Sequence, residues 1–185
     1  MRASRVAVIL AILALLSLVG TAVFVYYPIQ LTISPVSPPV FFGSGTNTNG
    51  TDLAGNTITV IIGPNATNTS ITIHPTYERT YYHDVVRIVN PAVPGGDPYY
   101  IAIRVNNPLV GFQQANVKVY DNANNLLFTA DLTAAGTYGW ATLLPDNTQF
   151  RIDIELVIPS GQPLPATTTV TFELVYSPQN AVSPP

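Results

Sequence analysis

The feature that most constrains the fold of this chain is the recurrence of short segments in which apolar and polar residues alternate. A period of two places successive side chains on opposite faces of a β-strand, so each segment is typical of a strand with one buried face. Gly, Pro, Asn and Asp residues separate the segments, and no stretch after residue 28 has a helical period. The predicted strands are Thr57–Ile62, Ser70–His74, Thr80–Val89, Tyr99–Val105, Asn116–Tyr120, Leu126–Leu132, Tyr138–Leu143, Gln149–Ile158 and Thr167–Tyr176.

This pattern predicts an all-β domain over residues 57–177, with the two-sheet sandwich of a jelly-roll or immunoglobulin-like fold. Residues 35–56, which are rich first in Pro and then in Gly, Asn and Thr, are predicted to be a linker and a loop. Residues 178–185 form a Pro-containing tail, and Asp121–Asn125 is predicted to be a hairpin loop.

Composition excludes several classes of function. The chain has no cysteine, so disulfides, thiolate catalysis and cysteine-ligated metals are impossible. Only 9% of the residues are charged and the net charge is −3, which is a poor match to the phosphate backbone of nucleic acids. A weakly charged surface also lacks the repulsion that keeps copies apart, so the composition favours a subunit that associates.

The N-terminus predicts export from the cell. Arg2 and Arg5 precede the apolar run Val6–Val19, and the small residues Gly20-Thr21-Ala22 follow it. This is the layout of a signal peptide spanning residues 1–22, with cleavage after Ala22 and an extracellular or cell-surface location. Retention as a membrane anchor stays open, because the apolar residues as far as Val25 provide the ~20 residues that a spanning helix needs.

The ionisable residues match no catalytic or metal-binding motif, so we predict no catalytic residues, no metal and no cofactor. His74 and His83 are separated by a Pro-containing turn and, with Glu78 and Asp84, fit no ligand spacing. Asp121–Asn125 lacks the ligand positions of a calcium loop.

The carboxylates of Asp153 and Glu155 share one face of a predicted strand. The alternation turns the neighbouring residues Ile152, Ile154 and Leu156 inward, so we expect both carboxylates to lie in solvent.

Two further features point to surface roles. A local excess of tyrosines could stack on sugar or lie at a subunit contact, or could simply belong to the core; its members are Tyr77, Tyr81, Tyr82, Tyr99 and Tyr100. Three Asn-x-Ser/Thr sequences begin at Asn49, Asn65 and Asn68, where an exported glycoprotein could carry N-linked glycans.

One segment of the sequence, residues 23–34, indicates a function. Residues 23–34 alternate through Ile29, Leu31 and Ile33, with Val23 and Val25 extending the pattern, and a stiff linker containing Pro35, Pro38 and Pro39 follows. The prolines rule out a tight hairpin. The strand could therefore project and add to the open sheet edge of another copy, which is donor-strand complementation. The alternative is that it pairs within its own sandwich through a long loop.

A family resemblance supports the first alternative. Asp84–Asn90, Val117–Asp121 and Leu126–Thr129, together with the export layout, resemble the archaeal bundling pilins, which are similar to the TasA/camelysin-type biofilm matrix fibre proteins. The resemblance implies a jelly-roll pilin whose N-terminal strand, here about Val23–Ser34, completes the sheet of the next subunit. A retained anchor would block polymerisation from this end.

The sequence therefore predicts a non-enzymatic subunit of an extracellular pilus or biofilm fibre. Its partner would be itself, both head-to-tail and in lateral bundles involved in cell adhesion, with no nucleic acid and with membrane contact only before processing. The alternative is a membrane-anchored ectodomain that binds carbohydrate or surface-layer components.

Overall fold

A computed structural model describes residues 27–53, 55–93, 95–161 and 163–179. The chain divides at Pro35 into two units, of which the first is described for residues 27–35 only. The described residues of the second unit contain ten strands and no helix. The strands are β1 (Phe41–Ser44), β2 (Thr59–Ile62), β3 (Thr69–Thr72), β4 (Glu78–Asn90), β5 (Tyr99–Asn107), β6 (Gln114–Tyr120), β7 (Leu126–Asp131), β8 (Gly136–Leu144), β9 (Thr148–Ile158) and β10 (Thr171–Ser177).

The strands form three antiparallel sheets. A five-stranded sheet has the order β1-β4-β9-β6-β7, a three-stranded sheet has the order β10-β5-β8, and β2 pairs with β3 as a separate two-stranded sheet. The strands β4 and β9, which lie side by side in the larger sheet, are the longest, with 13 and 11 residues. The molecule is thus all-β and antiparallel, as the alternation predicted.

All three sheets contribute to one hydrophobic core. The inward positions of β9 are Ile152, Ile154 and Leu156, as the sequence predicted, and those of β5 begin with Ile101 and Ile103. The small sheet adds buried Val60. β-branched side chains fill these positions because they pack well on a pleated surface.

A three-residue bulge interrupts the pairing of β4 with β9. Tyr82 lies opposite Ile154 and Val86 lies opposite Ile152, so His83, Asp84 and Val85 together face the single residue Asp153. Asp84 has a φ of 46°, a left-handed conformation that Asp tolerates better than most residues. The bulge turns the backbone carbonyls of three consecutive residues away from the regular ladder.

The nine predicted strands are all present, with ends that differ by up to four residues. The hairpin loop predicted at Asp121–Asn125 is also confirmed: the Asp121 carboxylate accepts hydrogen bonds from the backbone N–H groups of Ala123 and Asn125, each 2.8 Å long. Strand β1 was not predicted, because it lies within the segment that the composition assigned to linker and loop.

Candidate functional site

The predicted donor segment, as far as the structure describes it, is exposed and does not form a strand. Ile29, Leu31 and Ile33 expose 92%, 78% and 75% of their surface, and none of the three sheets includes a residue from 27–34. The other two residues predicted for the donor strand, Val23 and Val25, lie outside the described residues, as does the predicted signal peptide. Three large apolar side chains at alternate positions are therefore left in water.

Two neighbouring edge strands of the body are closed against further pairing. Strand β8 is bulged, since Thr142 lies opposite Ile101 and Tyr138 opposite Ile103, and Gly139 within the bulge has a φ of 80°. Strand β7 is in contact with β8, and a Cβ placed on Gly139 would come within 2.5 Å of the Phe128 ring. The bulge and this close packing twist and cover both edges.

The remaining edges of the two larger sheets, β1 and β10, differ from each other. Strand β1 has only four residues, and the Phe42 N–H donates a 2.8 Å hydrogen bond to the Ala66 carbonyl in the loop between β2 and β3. Strand β10 has seven residues, and its register with β5 is regular from Phe172 to Ser177. Among the described residues no strand pairs with the other side of β10.

The face of the five-stranded sheet that points away from the core carries an ionic network, here called the charged face. Four of the seven basic residues of the chain lie on it, paired with three carboxylates. Its members are Arg79, Arg87, Lys118, Arg151, Asp84, Asp153 and Glu155.

Asp153 is the centre of the charged face, and it has no exposed surface. Its carboxylate accepts hydrogen bonds from the Asp84 N–H at 2.7 Å, from Arg151 Nε at 2.9 Å and from the Tyr81 hydroxyl at 2.6 Å. Burial and the hydrogen bond to Asp153 both raise the pKa of Tyr81. Three donors satisfy the buried charge, as buried carboxylates require.

The other two carboxylates are paired in the same way. Burial raises the pKa of Asp84, but hydrogen bonds from Arg87 and Thr46 outweigh that effect and bring the pKa to about 2. Burial likewise raises the pKa of Glu155, but Lys118 and Arg79 lower it below its ordinary value. The Lys118 Nζ lies 2.8 Å from Glu155 Oε2.

The expectation that Asp153 and Glu155 lie in solvent is therefore wrong. The alternation places them on the outward face correctly, but their exposed fractions are 0% and 5%. Long side chains from neighbouring strands fold over them, and a salt bridge joins Glu155 to Arg79. The stems of Lys and Arg commonly cover neighbouring groups while their charged ends stay hydrated.

The loop before β2 is fastened to the bulge of β4. The Asn47 side-chain amide donates to the His83 carbonyl at 2.7 Å, and the Asn47 N–H donates to the Asp84 carbonyl at 3.1 Å. The Thr48 hydroxyl donates to the Val85 carbonyl at 3.0 Å. The three carbonyls that the bulge releases from the ladder thus all find donors in this loop.

A polar cleft of about 290 Å³ opens beside the bulge. The β6–β7 hairpin loop forms one wall, where the Asn124 side chain accepts a hydrogen bond from Arg151. The guanidinium of Arg151 also stacks on the Tyr120 ring, 4.5 Å from its centroid. The cleft is lined by Thr46, His83, Asp84, Arg87, Asp121, Asn122, Asn124, Gln149 and Arg151.

The histidines weighed as metal ligands are not brought together. His74 Nδ1 lies 3.0 Å from Asp52 Oδ2, whereas Asp84 is engaged with Arg87. Within the part of the chain that the structure describes, no three His, Asp or Glu side chains form a group suited to a metal ion.

The predicted tyrosine cluster is divided among several environments. Tyr81 lies on the charged face, and its neighbour Tyr82 is buried in the core, where burial raises its pKa to about 12. Tyr99 packs edge-on against Tyr176 with ring centroids 5.8 Å apart. Tyr81, Tyr82 and Tyr99 therefore do not share one surface. The three predicted glycan sites, Asn49, Asn65 and Asn68, are all exposed.

No protein-family model matches the chain, and no curated protein does. No helix in the described ranges has the length and apolar character needed to cross a membrane.

Proposed function

We propose that this chain is a structural subunit of an extracellular fibre, a pilus or biofilm matrix fibre, that polymerises by donor-strand complementation. The observation that carries the proposal is the exposure of Ile29, Leu31 and Ile33 at alternate positions, next to polar Gln30 and Thr32. Fully burying a side chain of this size contributes roughly 1.5–3 kcal/mol, so a segment of this kind gains stability by adding to a sheet. The role is non-enzymatic.

The rest of the chain fits this proposal. The proline-rich residues 34–39 separate the segment from the sheets, and donation from one copy to the next is a heterologous contact that does not close on itself. A jelly-roll sandwich is the finer architecture that we propose for the three sheets. Cleavage after Ala22 would free the segment, and mass spectrometry of the native N-terminus tests that step.

Replacement of Ile29, Leu31 and Ile33 by Ser tests the proposal, with replacement of Gln30 and Thr32 by Ser as the matched control. Negative-stain microscopy of the secreted proteins should show fibres for the wild type and the control, and only monomers for the triple variant. Circular dichroism of the triple variant should retain the β spectrum, which separates a lost contact from a lost fold. Fibres of normal length from the triple variant would contradict the proposal.

A second candidate is a surface ectodomain that binds carbohydrate, and the polar cleft favours it. The two arginines of the cleft are already paired with Asp84 and Asp153, so the lining is close to charge balance and suits a neutral, hydroxyl-rich ligand. Titration calorimetry with neutral oligosaccharides tests this candidate. Binding that is lost in Asn122→Ala/Gln149→Ala and kept in Asn107→Ala would support it, and no binding to any of the sugars would exclude them as ligands.

A further inference from the structure

We infer that the unpaired edge of β10 is the acceptor for residues Ile29–Ser34 of a second copy. This inference depends on the proposed function, because it names the partner surface of the same donor segment. Two observations support it. The edge of β10 is the least protected of the four edges in the two larger sheets, and the core-facing residues of β10 are less buried than those of β5.

Three of the four edges offer little backbone for a new strand. The four-residue β1 already has its Phe42 N–H bonded to the β2–β3 loop. The β8 edge is broken by its bulge, where Gly139 and Ala141 both have positive φ. The β7 edge is packed against β8 through the Phe128 ring. Short strands, bulges and covered edges are the ordinary means by which proteins prevent edge pairing.

Strand β10 is less protected: its irregularity is confined to the register shift at Thr171/Phe172, and Glu173 is its one charged residue. It runs for seven residues, its register is regular from Phe172 onward, and it contains no Pro, Gly or Lys. The donor segment Ile29–Ser34 has six residues, so one regular ladder can accommodate it along this edge. A long and regular edge without a blocking residue is a template for strand addition.

The burial of the core-facing side chains falls off toward β10. In β5 the residues Ile103 and Val105 are almost completely buried, with 1% and 2% exposed. Their partners in β10, Leu174 and Phe172, are only partly buried although they pack against the same core. A strand added beyond β10 would cover this apolar surface with the side chains of Ile29, Leu31 and Ile33.

The opposite face of β10 is of mixed polarity, since it carries Glu173 and the partly buried Val175. Glu173 points away from the core and forms an ion pair with Arg104, with 2.7 Å between Arg104 Nη2 and Glu173 Oε2. Gln30 and Thr32 would lie on that side of the sheet. A shift by one residue would turn Ile29, Leu31 and Ile33 onto the side of Glu173, so the apolar pattern on the core side sets the register to an even number of residues.

Disulfide trapping tests the inference cleanly because the chain has no cysteine of its own. Chains carrying Thr32→Cys are mixed with chains carrying Val175→Cys, assembled and oxidised. Because the register is fixed only to an even number of residues, Gln30→Cys and Glu173→Cys are tested in the same way as alternative positions. Thr32→Cys mixed with Thr137→Cys, which lies on the β8 edge, is the matched control. Residues directly opposite each other in neighbouring strands have the spacing that a disulfide needs.

We expect covalent dimers from at least one of the β10 combinations and none from the β8 control or from any single variant alone. A ladder of covalent oligomers should appear when both cysteines of the productive pair are in one chain. Each variant is first checked for fibres by microscopy, so that a missing crosslink is interpreted only in chains that assemble.

Fibres that crosslink at Thr137→Cys, or at no β10 position, would overturn β10 as the acceptor and leave the proposed function intact. A double variant that stays monomeric with an internal disulfide would show that the segment pairs with its own β10. That result would overturn both proposals. Wild-type chains that form no fibres would overturn the proposed function itself.

Discussion

The Tyr81 hydroxyl donates a 2.6 Å hydrogen bond to Oδ2 of Asp153, a carboxylate without exposed surface on the outward face of the five-stranded sheet. The buried charge is stabilised because β4 and β9 surround it with donors, which are the Tyr81 hydroxyl, the Asp84 backbone N–H and Arg151 Nε. The charged face therefore holds together the two longest strands at the point where the β4 bulge weakens their ladder.

Removal of the Tyr81 hydroxyl should be destabilising. Tyr81→Phe keeps the ring but leaves Asp153 with one donor fewer, and hydrogen bonds to charged groups contribute roughly 1.5–3 kcal/mol. We expect the free energy of unfolding, measured by urea denaturation of the monomeric chain, to fall by about 2 kcal/mol. Tyr77→Phe, at a tyrosine with 44% of its surface exposed against 42% for Tyr81, is the control and should be close to neutral. An unchanged midpoint in Tyr81→Phe would show that Arg151 and the Asp84 N–H satisfy Asp153 without it.

The pKa of Asp84, which is about 2 in the folded chain against an ordinary value of 3.8, predicts how stability depends on pH. A depressed folded pKa stabilises the native state above the unfolded pKa, and this stabilisation is lost as the pH falls through the folded value. We expect a loss of about 2 kcal/mol between pH 4 and pH 2. Glu155 adds to the loss in the same direction, since its pKa is also lowered.

Urea denaturation at a series of pH values measures this dependence. Asp84→Asn should reduce the slope between pH 4 and pH 2 and should lower stability at neutral pH, because Arg87 loses its partner. Asp97→Asn, at an exposed position, should leave the slope as it is in the wild type. If stability fell equally steeply between pH 4 and pH 2 in Asp84→Asn and in the wild type, Asp84 would not be the group responsible for the pH dependence.

The strands were predictable from the sequence because one face of each is buried and the side-chain period of a strand is two. Ile152, Ile154 and Leu156 of β9 are where the alternation places them. Strand β1 was missed because Phe41-Phe42-Gly43-Ser44 is too short to show a period, and only pairing with β4 makes it a strand. Tertiary context decides such cases.

The charged face was not predictable in the same way. Alternation tells which face of a strand a residue occupies, but it does not tell whether long side chains of the neighbouring strands will cover it. Asp153 lies opposite Lys118, with Glu155 two residues further along β9, and these cross-strand neighbours follow from the register. The pairing of β4 with β9, which brings Tyr81 and Asp84 to Asp153, depends in addition on a bulge that no sequence motif marks. The function of residues 29–34, by contrast, was inferred from the sequence and remains a prediction.

Gly139 should be intolerant of substitution. Its φ of 80° disfavours any side chain, and a Cβ would also come within 2.5 Å of the Phe128 ring. We expect Gly139→Ala to lower the free energy of unfolding by about 3 kcal/mol, through backbone strain and overpacking together. Gly161→Ala is the matched control, because Gly161 has a φ of 82° with open space around it. This variant should lower the free energy of unfolding by only about 1 kcal/mol. Similar losses in the two variants would mean that the Phe128 contact adds nothing.

The donor segment should also act when it is supplied as a separate peptide. If a strand edge of the body is incomplete, a peptide of residues 27–35 should bind a chain in which Ile29, Leu31 and Ile33 are replaced by Ser and raise its thermal midpoint. A ligand that binds only the native state stabilises it by about 2.7 kcal/mol at 100 times its Kd, so the midpoint should climb with peptide concentration.

A peptide carrying the same three Ser replacements is the control, and it should leave the midpoint unchanged. The peptide should not bind to wild-type fibres, because their acceptor edges are already occupied by neighbouring copies. An equal rise with both peptides would mean that the alternating apolar side chains are not what the body recognises, and the donor segment would then need another partner.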